Sequence, residues 1–474
     1  MNRVPYFSAT ATLIIIAGTS LAAQPRTEVS KDGLYTVIVK GSESAESYVR
    51  RGSGVPFGTE PDWQNDLRIQ VGGLKAVDVN NDGLTDLIVG CYHSNSFPAY
   101  PQWTNLIYLN TGSGLEATPS WESTDEVSTT DIQVGDINGD GFIDIFAANG
   151  DFAMSPSVIY FGTPSGPNNT PGWFSNDNAW SIASLLFDID HDGDLDAITG
   201  NEGNSPDDPY RPINIFRNDD GVLSHTPTWQ SAEWSIQNGL SMADFDGDGW
   251  EDLAVSKWVN FETGVYRNIG GALQTMPIWS DGTTEDEKGV AWADFDFDGF
   301  PELAVGHDPT RIFDNDGGVM GPVWWEADSA PYYGHSELMA YDVDGDGDQD
   351  LAEVHFSNGH ARIYLNNNGI FNSTADWQYD SISVGTAIAF GDINGDGRDD
   401  FIVGYSGDVS IVVFYAQAPP CPEDLNDDGQ IDQADLGQLL AAYNSDDGGD
   451  IDGDGDTDQA DLGQLLAAYG ESCP

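Results

Sequence analysis

Short apolar runs, broken by clusters of Gly, Asp, Asn and Ser, recur along most of this chain. One set reads Leu87-Ile88-Val89-Gly90, Leu253-Ala254-Val255 and Phe401-Ile402-Val403-Gly404. A second set follows further on, as Ile107-Tyr108-Leu109-Asn110, Ile159-Tyr160-Phe161-Gly162, Ile215-Phe216-Arg217-Asn218 and Ile363-Tyr364-Leu365-Asn366. Both read as β-strands bounded by turn residues. A tryptophan then arrives at Trp63, Trp121, Trp173, Trp229, Trp279, Trp325 and Trp377. One large aromatic side chain per repeat at a fixed offset marks a residue that packs one unit against the next. Beyond Pro419-Pro420 the pattern changes: Leu436, Leu439, Leu440 and Tyr443 fall on one face of a short helix. The segment DQADLGQLLAAY occurs both at Asp432 to Tyr443 and at Asp458 to Tyr469.

Between the strands lies a nine-residue loop, D-x-[DN]-x-[DN]-G-x-x-[DE], in seven copies whose starts are 48 to 58 residues apart. That period, with turn residues throughout, predicts a propeller or a solenoid array. Oxygens at loop positions one, three, five and nine converge on one hard cation, a carbonyl at position seven adds another, and Gly at position six lets the chain turn. Oxygen-only ligation selects Ca²⁺ over zinc or copper. The candidate ligands are Asp78, Asn80, Asp82 and Asp86 in the first loop, and Asp136, Asn138, Asp140 and Asp144 in the second. The third and fourth offer Asp188, Asp190, Asp192, Asp196 and Asp244, Asp246, Asp248, Asp252. The fifth and sixth offer Asp294, Asp296, Asp298, Glu302 and Asp342, Asp344, Asp346, Asp350, and the seventh Asp392, Asn394, Asp396 and Asp400.

Composition fits that reading. Sixteen Lys and Arg against 79 Asp and Glu leave a formal charge of −63, which excludes nucleic acid as a partner and disfavours an anionic bilayer. With 39% apolar and 11% aromatic residues the chain is nonetheless a folded one. The first residues, an Arg followed by an apolar stretch through Leu13 to Ala17 and then Ser20-Leu21-Ala22-Ala23, read as a signal peptide over 1–23. Secretion is the expectation, with no membrane span, since the apolar run is too short for one. Outside the cell calcium is abundant and disulfides persist. Cys421 and Cys473 bracket the last 54 residues and are expected to pair, stabilising that region by roughly 4 kcal/mol on the chain-entropy estimate. Cys91 has no partner in prospect.

These loops and strands resemble the FG-GAP and VCBS repeats that build integrin α-subunit propellers and many secreted bacterial proteins. The resemblance spans roughly residues 30 to 415. It implies an all-β, seven-bladed β-propeller over 24–418 with calcium held at up to seven loops. Glu302 departs from it, standing at position nine where the family has Asp. Trp63 precedes the first loop with no strand of the Ile-Tyr-Leu-Asn type before it, and Ile411-Val412-Val413-Phe414-Tyr415 ends the last repeat with no Trp after it. The two chain ends thus read as complementary parts of one blade, which closes the ring and removes exposed edges.

In the C-terminal region 419–474, loops of a different length place Asp424, Asn426, Asp428, Asp432 and Asp435, and again Asp450, Asp452, Asp454, Asp458 and Asp461, at the ligand positions of paired EF-hand-like sites. This resembles a type I dockerin, a small α-helical module with two calcium sites, and implies docking onto a cohesin-like scaffold or a cell-surface protein. Gln433-Ala434 and Gln459-Ala460 stand where cellulosomal dockerins carry a hydroxyl-bearing pair, which leaves the partner open.

For a ligand on the propeller, the fifth residue beyond each loop is Cys91, Asn149, Asn201, Lys257, His307, His355 or Tyr405, and equivalent blades predict a ring of these about the channel mouth. Tyr92, His93, Glu202, Trp258 and Arg311 lie close by in sequence. Such a ring suits a glycan or a protein loop. The sequence thus predicts a secreted, calcium-braced binding or adhesion module. The alternative is a polysaccharide lyase or hydrolase, with His307, His355, Lys257 and Tyr405 as the acid and base candidates.

Overall fold

The computed structural model describes residues 54–474 apart from 94–102, 151–154, 178, 206–207, 259–260, 285–288, 329–334, 357–358, 382, 408–409, 418–420, 427–428, 444–447, 450, 452–456, 471 and 474. Before residue 54 it describes only Tyr35–Val37 and Tyr48–Arg50, an antiparallel pair within a separate unit, Met1–Arg51. The leader expected at 1–23 lies outside the described residues. So do Asp428, Asp450, Asp452 and Asp454.

From Gly52 onward the repeat becomes architecture. In the first blade Val71–Val77, Asp86–Cys91, Leu106–Tyr108 and Trp121–Glu122 pair antiparallel in sequence order. Blades two to six repeat the plan, beginning at Thr129–Gly135, Trp180–Phe187, Ile236–Ala243, Val290–Ala293 and His335–Tyr341. The third adds a strand, Asp208–Tyr210, to the side of Asp196–Ser205. In the seventh, Val384–Gly391, Asp400–Ser406 and Ile411–Phe414 are completed by Trp63–Gln64 from the other end of the repeat array, Trp63 opposite Val413. The first strands of successive blades are neighbours, and Val384–Gly391 returns to Val71–Val77. The seven blades therefore form a closed ring, fastened as the complementary ends predicted.

Each second strand is buried on both faces because blades pack against it from both sides, which is why its sequence is a continuous apolar run. Alternate side chains serve different interfaces: Leu87 and Val89 pack with Ile402 and Val413 of the seventh blade, whereas Ile88 packs with Ile132 and Ile145 of the second. The tryptophans carry this packing outward. Trp63 meets Tyr108 edge-on at 5.7 Å, Trp121 meets Tyr160 at 5.5 Å and Trp377 meets Phe414 at 4.9 Å, in each case a ring of the next blade. The indoles of Trp121, Trp173, Trp229 and Trp377 also donate to carbonyls across the same boundary, at Pro167, Leu223, Leu273 and Gly58.

At the C-terminus, α1 (Gln433–Ala442) and α2 (Gln459–Ala467) are each capped by the aspartate that ends the preceding loop. Asp432 and Asp458 accept from Ala434 and Ala460, while Asp435 and Asp461 reach back to the cap amides, forming two capping boxes. Leu439 and Leu465, equivalent in the duplication, form a small core with Ile431 and Ile451. Cys421 and Cys473 are disulfide-bonded across it.

Candidate metal-binding loops

All seven acidic loops join the first to the second strand of a blade and share one internal geometry. The amide of the position-six glycine donates to the position-one carboxylate in every copy, from Gly83 to Asp78 at 2.8 Å through Gly397 to Asp392 at 2.9 Å. These glycines hold φ between 87° and 100°, the left-handed region that a side chain resists. Position four is left-handed too. Gly serves there in four loops, but Asn81, His191 and Phe297 also adopt it, Phe297 at φ 64°. The position-two residues Val79, Ile137, Ile189, Phe245, Phe295, Val343 and Ile393 are buried and anchor each loop to an inter-blade core.

The position-nine carboxylate is buried in every loop. Asp86 accepts the Val79 amide with one oxygen and the Asn110 amide with the other, and Asp144, Asp196, Asp350 and Asp400 are held in the same way. Burial pushes Asp86, Asp144, Asp196 and Asp400 up to about 6 and Asp252 to about 7. Asp350 and Glu302 rise to about 8, with neighbouring loop aspartates adding to burial. Glu302 places Oε2 on the Phe295 amide at 2.8 Å and leaves Oε1 buried without a hydrogen bond.

A divalent cation fits this setting. Asp188, Asp190 and Asp192, Asp244, Asp246 and Asp248, Asp294, Asp296 and Glu302, and Asp342, Asp344 and Asp350 each bring three oxygens within 4.8 Å of one another. Buried oxygens of Asp190, Asp246, Asp252, Asp294, Glu302 and Asp342 have no hydrogen-bond partner, a costly state that a metal ligand escapes. Loops one, two and seven bring fewer carboxylates, because Asn80, Asn138 and Asn394 stand at position three. The C-terminal loops show the beginnings of similar cages, with Gly429 donating to Asp424 at 2.7 Å and Asn426 donating to the buried Asp435 at 3.2 Å.

A set of residues missing from the sequence-level site joins one loop to the next. The side-chain amides of Asn110, Asn218, Asn268, Asn315 and Asn366 donate to position-two carbonyls of the preceding blade's loop, at Ile393, Ile137, Ile189, Phe245 and Phe295. The Asn110 contact crosses from the first blade to the seventh, so one of these links spans the closure. Their signal was in view, as the Asn that ends the Ile-Tyr-Leu-Asn strings, but only the three-dimensional ring shows what it touches.

The expected ring of ligand-binding side chains is corrected. Cys91, Asn149, Asn201, Lys257, His307, His355 and Tyr405 are all buried within the blades rather than set around the channel mouth. They lie at or near the ends of second strands, whose both faces are covered, and several bond to polar groups behind them. Lys257 pairs with Glu233, and Asn201 is held by Ser181 and the Pro212 carbonyl. His307 lies 3.1 Å from Asp281. Burial opposes charge on Asp281, yet the imidazole beside it holds its carboxyl below the usual range. His355 donates to Glu353 at 2.8 Å, and Thr310 and Tyr364 donate to the same carboxylate. Burial also pushes the Cys91 thiol up. The channel is instead walled by first strands, where Asp131 accepts from Ser184 of the next blade and Glu337 accepts from Ile388.

Around these buried ends, the face opposite the acidic loops carries exposed aromatic surface. His93 stacks on Trp103 with centroids 3.5 Å apart, and Trp103 is 40% exposed. Trp234 is 54% and Phe356 41% exposed, and Tyr92, Trp258 and Glu202 are half-buried. Arg311 pairs with Glu326 at 2.8 Å.

Residues 78–147, 188–255 and 342–403 match the FG-GAP-like repeat family. No sequence among curated proteins matches. The fold is similar to BBS1N in its crystal structure with ARL6DN soaked with lead, at TM-score 0.51 and 13% identity, over 77% of this chain and 98% of that one. The mercury-soaked form of the same complex gives TM-score 0.50 and 12% identity over 77% and 97%. At these identities the likeness concerns fold alone. FG-GAP-like repeats on a seven-bladed propeller are thus present in this chain. Among the described residues, no helix is long and apolar enough to cross a membrane.

Proposed function

We propose that these FG-GAP-like repeats make the protein a calcium-braced, secreted binding module, carrying a ligand face on the propeller and an attachment module at its C-terminus. The observation that carries the reading is that loops three to six gather carboxylates that keep buried oxygens without a hydrogen-bond partner, which a hard cation would supply. Calcium would sit among positions one, three, five and nine, neutralising the cage. It supplies charge compensation and cross-linking between strands; chemistry at a substrate is not required of it. In a melting experiment the purified protein should unfold at least 10 °C lower, as an order of magnitude, in EGTA than in excess calcium, because ligand binding to the folded state alone stabilises it. An unchanged melting curve would defeat the proposal.

Ligand recognition belongs on the aromatic face, where Trp103, Trp234 and Phe356 offer platforms that stack on a sugar ring or take up a protein loop. The expected outcome on a glycan array is retention without product, weakened by about tenfold or more in Trp103→Ala or Trp234→Ala. New reducing ends or unsaturated sugars would assign the polysaccharide-degrading alternative instead. The two capped helices and their acidic loops support a dockerin-like role for 419–474, with a cohesin-like scaffold or a surface protein as partner. Capture of such a scaffold by the full chain should require calcium.

A further inference from the structure

The seven loops differ in how much charge they leave for a cation. Loops three, four, five and six carry four carboxylates at ligand positions, whereas loops one, two and seven carry three. In the third and fourth loops a guanidinium already occupies part of the cage. Arg217, just after the strand Asn214–Phe216, places Nη1 3.2 Å from Asp190 and pairs with Asp196 as well. Its Nη2 donates to the Gly271 carbonyl, at the tip of the fourth blade's outer hairpin. That tip rests on the third loop so closely that a Cβ on Gly271 would stand 2.6 Å from the Asp190 side chain. Arg267 holds the same place beside the fourth loop, pairing with Asp246 and lying 3.0 Å from Asp248.

At the equivalent position the other blades carry Leu109, Phe161, Asp314, Leu365 and Tyr415. Loops five and six thus keep four carboxylates with no Arg in that place, and Asp314 adds a further negative charge beside the fifth. The oxygen clusters follow the same division. In loops five and six the buried position-nine carboxylate joins the cluster, as Glu302 and Asp350, whereas in loops three and four the cluster comprises positions one, three and five only.

We propose that Arg217 and Arg267 are tethered counter-ions that replace part of a divalent cation's charge in loops three and four, so that the propeller binds calcium tightest at loops five and six. The inference rests on the reading of the loops as cation sites. A fixed positive charge within a cage lowers the gain from adding a mobile one, and it leaves the carboxylates partly compensated when metal is scarce. Loops three and four would then brace the ring through Arg at low calcium, while loops five and six respond to it.

The test is equilibrium dialysis of calcium into the EGTA-stripped full chain, comparing the parent with Arg217→Met/Arg267→Met. The C-terminal loops contribute equally to both and cancel in the difference. The expected result is two more ions in the tight class of the double variant, each with affinity raised about tenfold or more. In EGTA that variant should melt below the parent, and excess calcium should remove the gap. Arg217→Lys/Arg267→Lys keeps both charges and should retain the parental number of tight sites. Equal number and affinity in the Met variant and the parent would overturn the inference while leaving the cation reading intact. No calcium uptake by the parent propeller would overturn that reading itself.

Discussion

Burial of the position-nine carboxylate favours its protonated form, and a cation beside it favours the charged one. Glu302 and Asp350 show this most sharply, since their pKa values near 8 mean that the metal-free fold holds protons which the unfolded chain gives up near 4. Between those values the folded state binds more protons than the unfolded one, so stability falls as pH rises. In EGTA the melting temperature should therefore decline from pH 5 to pH 8. Glu302→Gln, uncharged throughout, should flatten the upper part of that decline. In saturating calcium the trend should vanish or reverse, because the ion favours the charged form and protons compete with it. A decline that persists unaltered in calcium would show that these carboxylates do not meet the metal.

Within an element the decisive unit is the loop with the Asn that touches it from the next blade. Asn366 donates to the Phe295 carbonyl at 2.8 Å and to Gln349 at 3.2 Å, and it accepts from the Gly369 amide. Its own amide is held by Asp350. One residue thus joins the fifth and sixth loops through both backbone and side chain. Asn366→Ala leaves buried carbonyls unpaired and should cost about 1–3 kcal/mol, measured by chemical denaturation. Asn366→Asp should be worse, since it returns only the acceptor and adds negative charge between two acidic loops. The contact belongs to a pair of blades, so hydrogen exchange should quicken in both loops at once. Quickening in the sixth alone would argue against the link.

For the whole molecule, closure is the property that no single repeat contains. Trp63–Gln64 supplies the outer strand of the seventh blade, while Phe57 packs on Trp377 and Phe401, and Gln417 donates to the Pro56 carbonyl. Removing residues 52–66 should expose the edge Ile411–Phe414 and lower the cooperativity of unfolding, with self-association of the open ring. Removing Cys421 to Pro474 should leave the propeller transition in place, because the cores between blades contain none of those residues. Loss of the propeller transition in the second truncation, or its survival unchanged in the first, would contradict this division.

Local chemistry was written in the chain itself. A loop that needs left-handed backbone at position six selects Gly, one that gathers oxygens selects Asp and Asn, and a strand covered on both faces selects an unbroken apolar run. Each demand acts over a few residues, so loops, strands and the tryptophan of each blade are legible in the sequence. The side chains of Lys257, His307 and His355 followed another rule. They are polar residues at strand ends, a pattern equally suited to a channel mouth and to a buried partner, and only Glu233, Asp281 and Glu353, brought near by the packed blades, decided between the two. The same holds for Arg217, a strand residue in sequence and a counter-ion in space. Charge pairing depends on distances across blades, and those are set by the closed ring rather than by any one repeat.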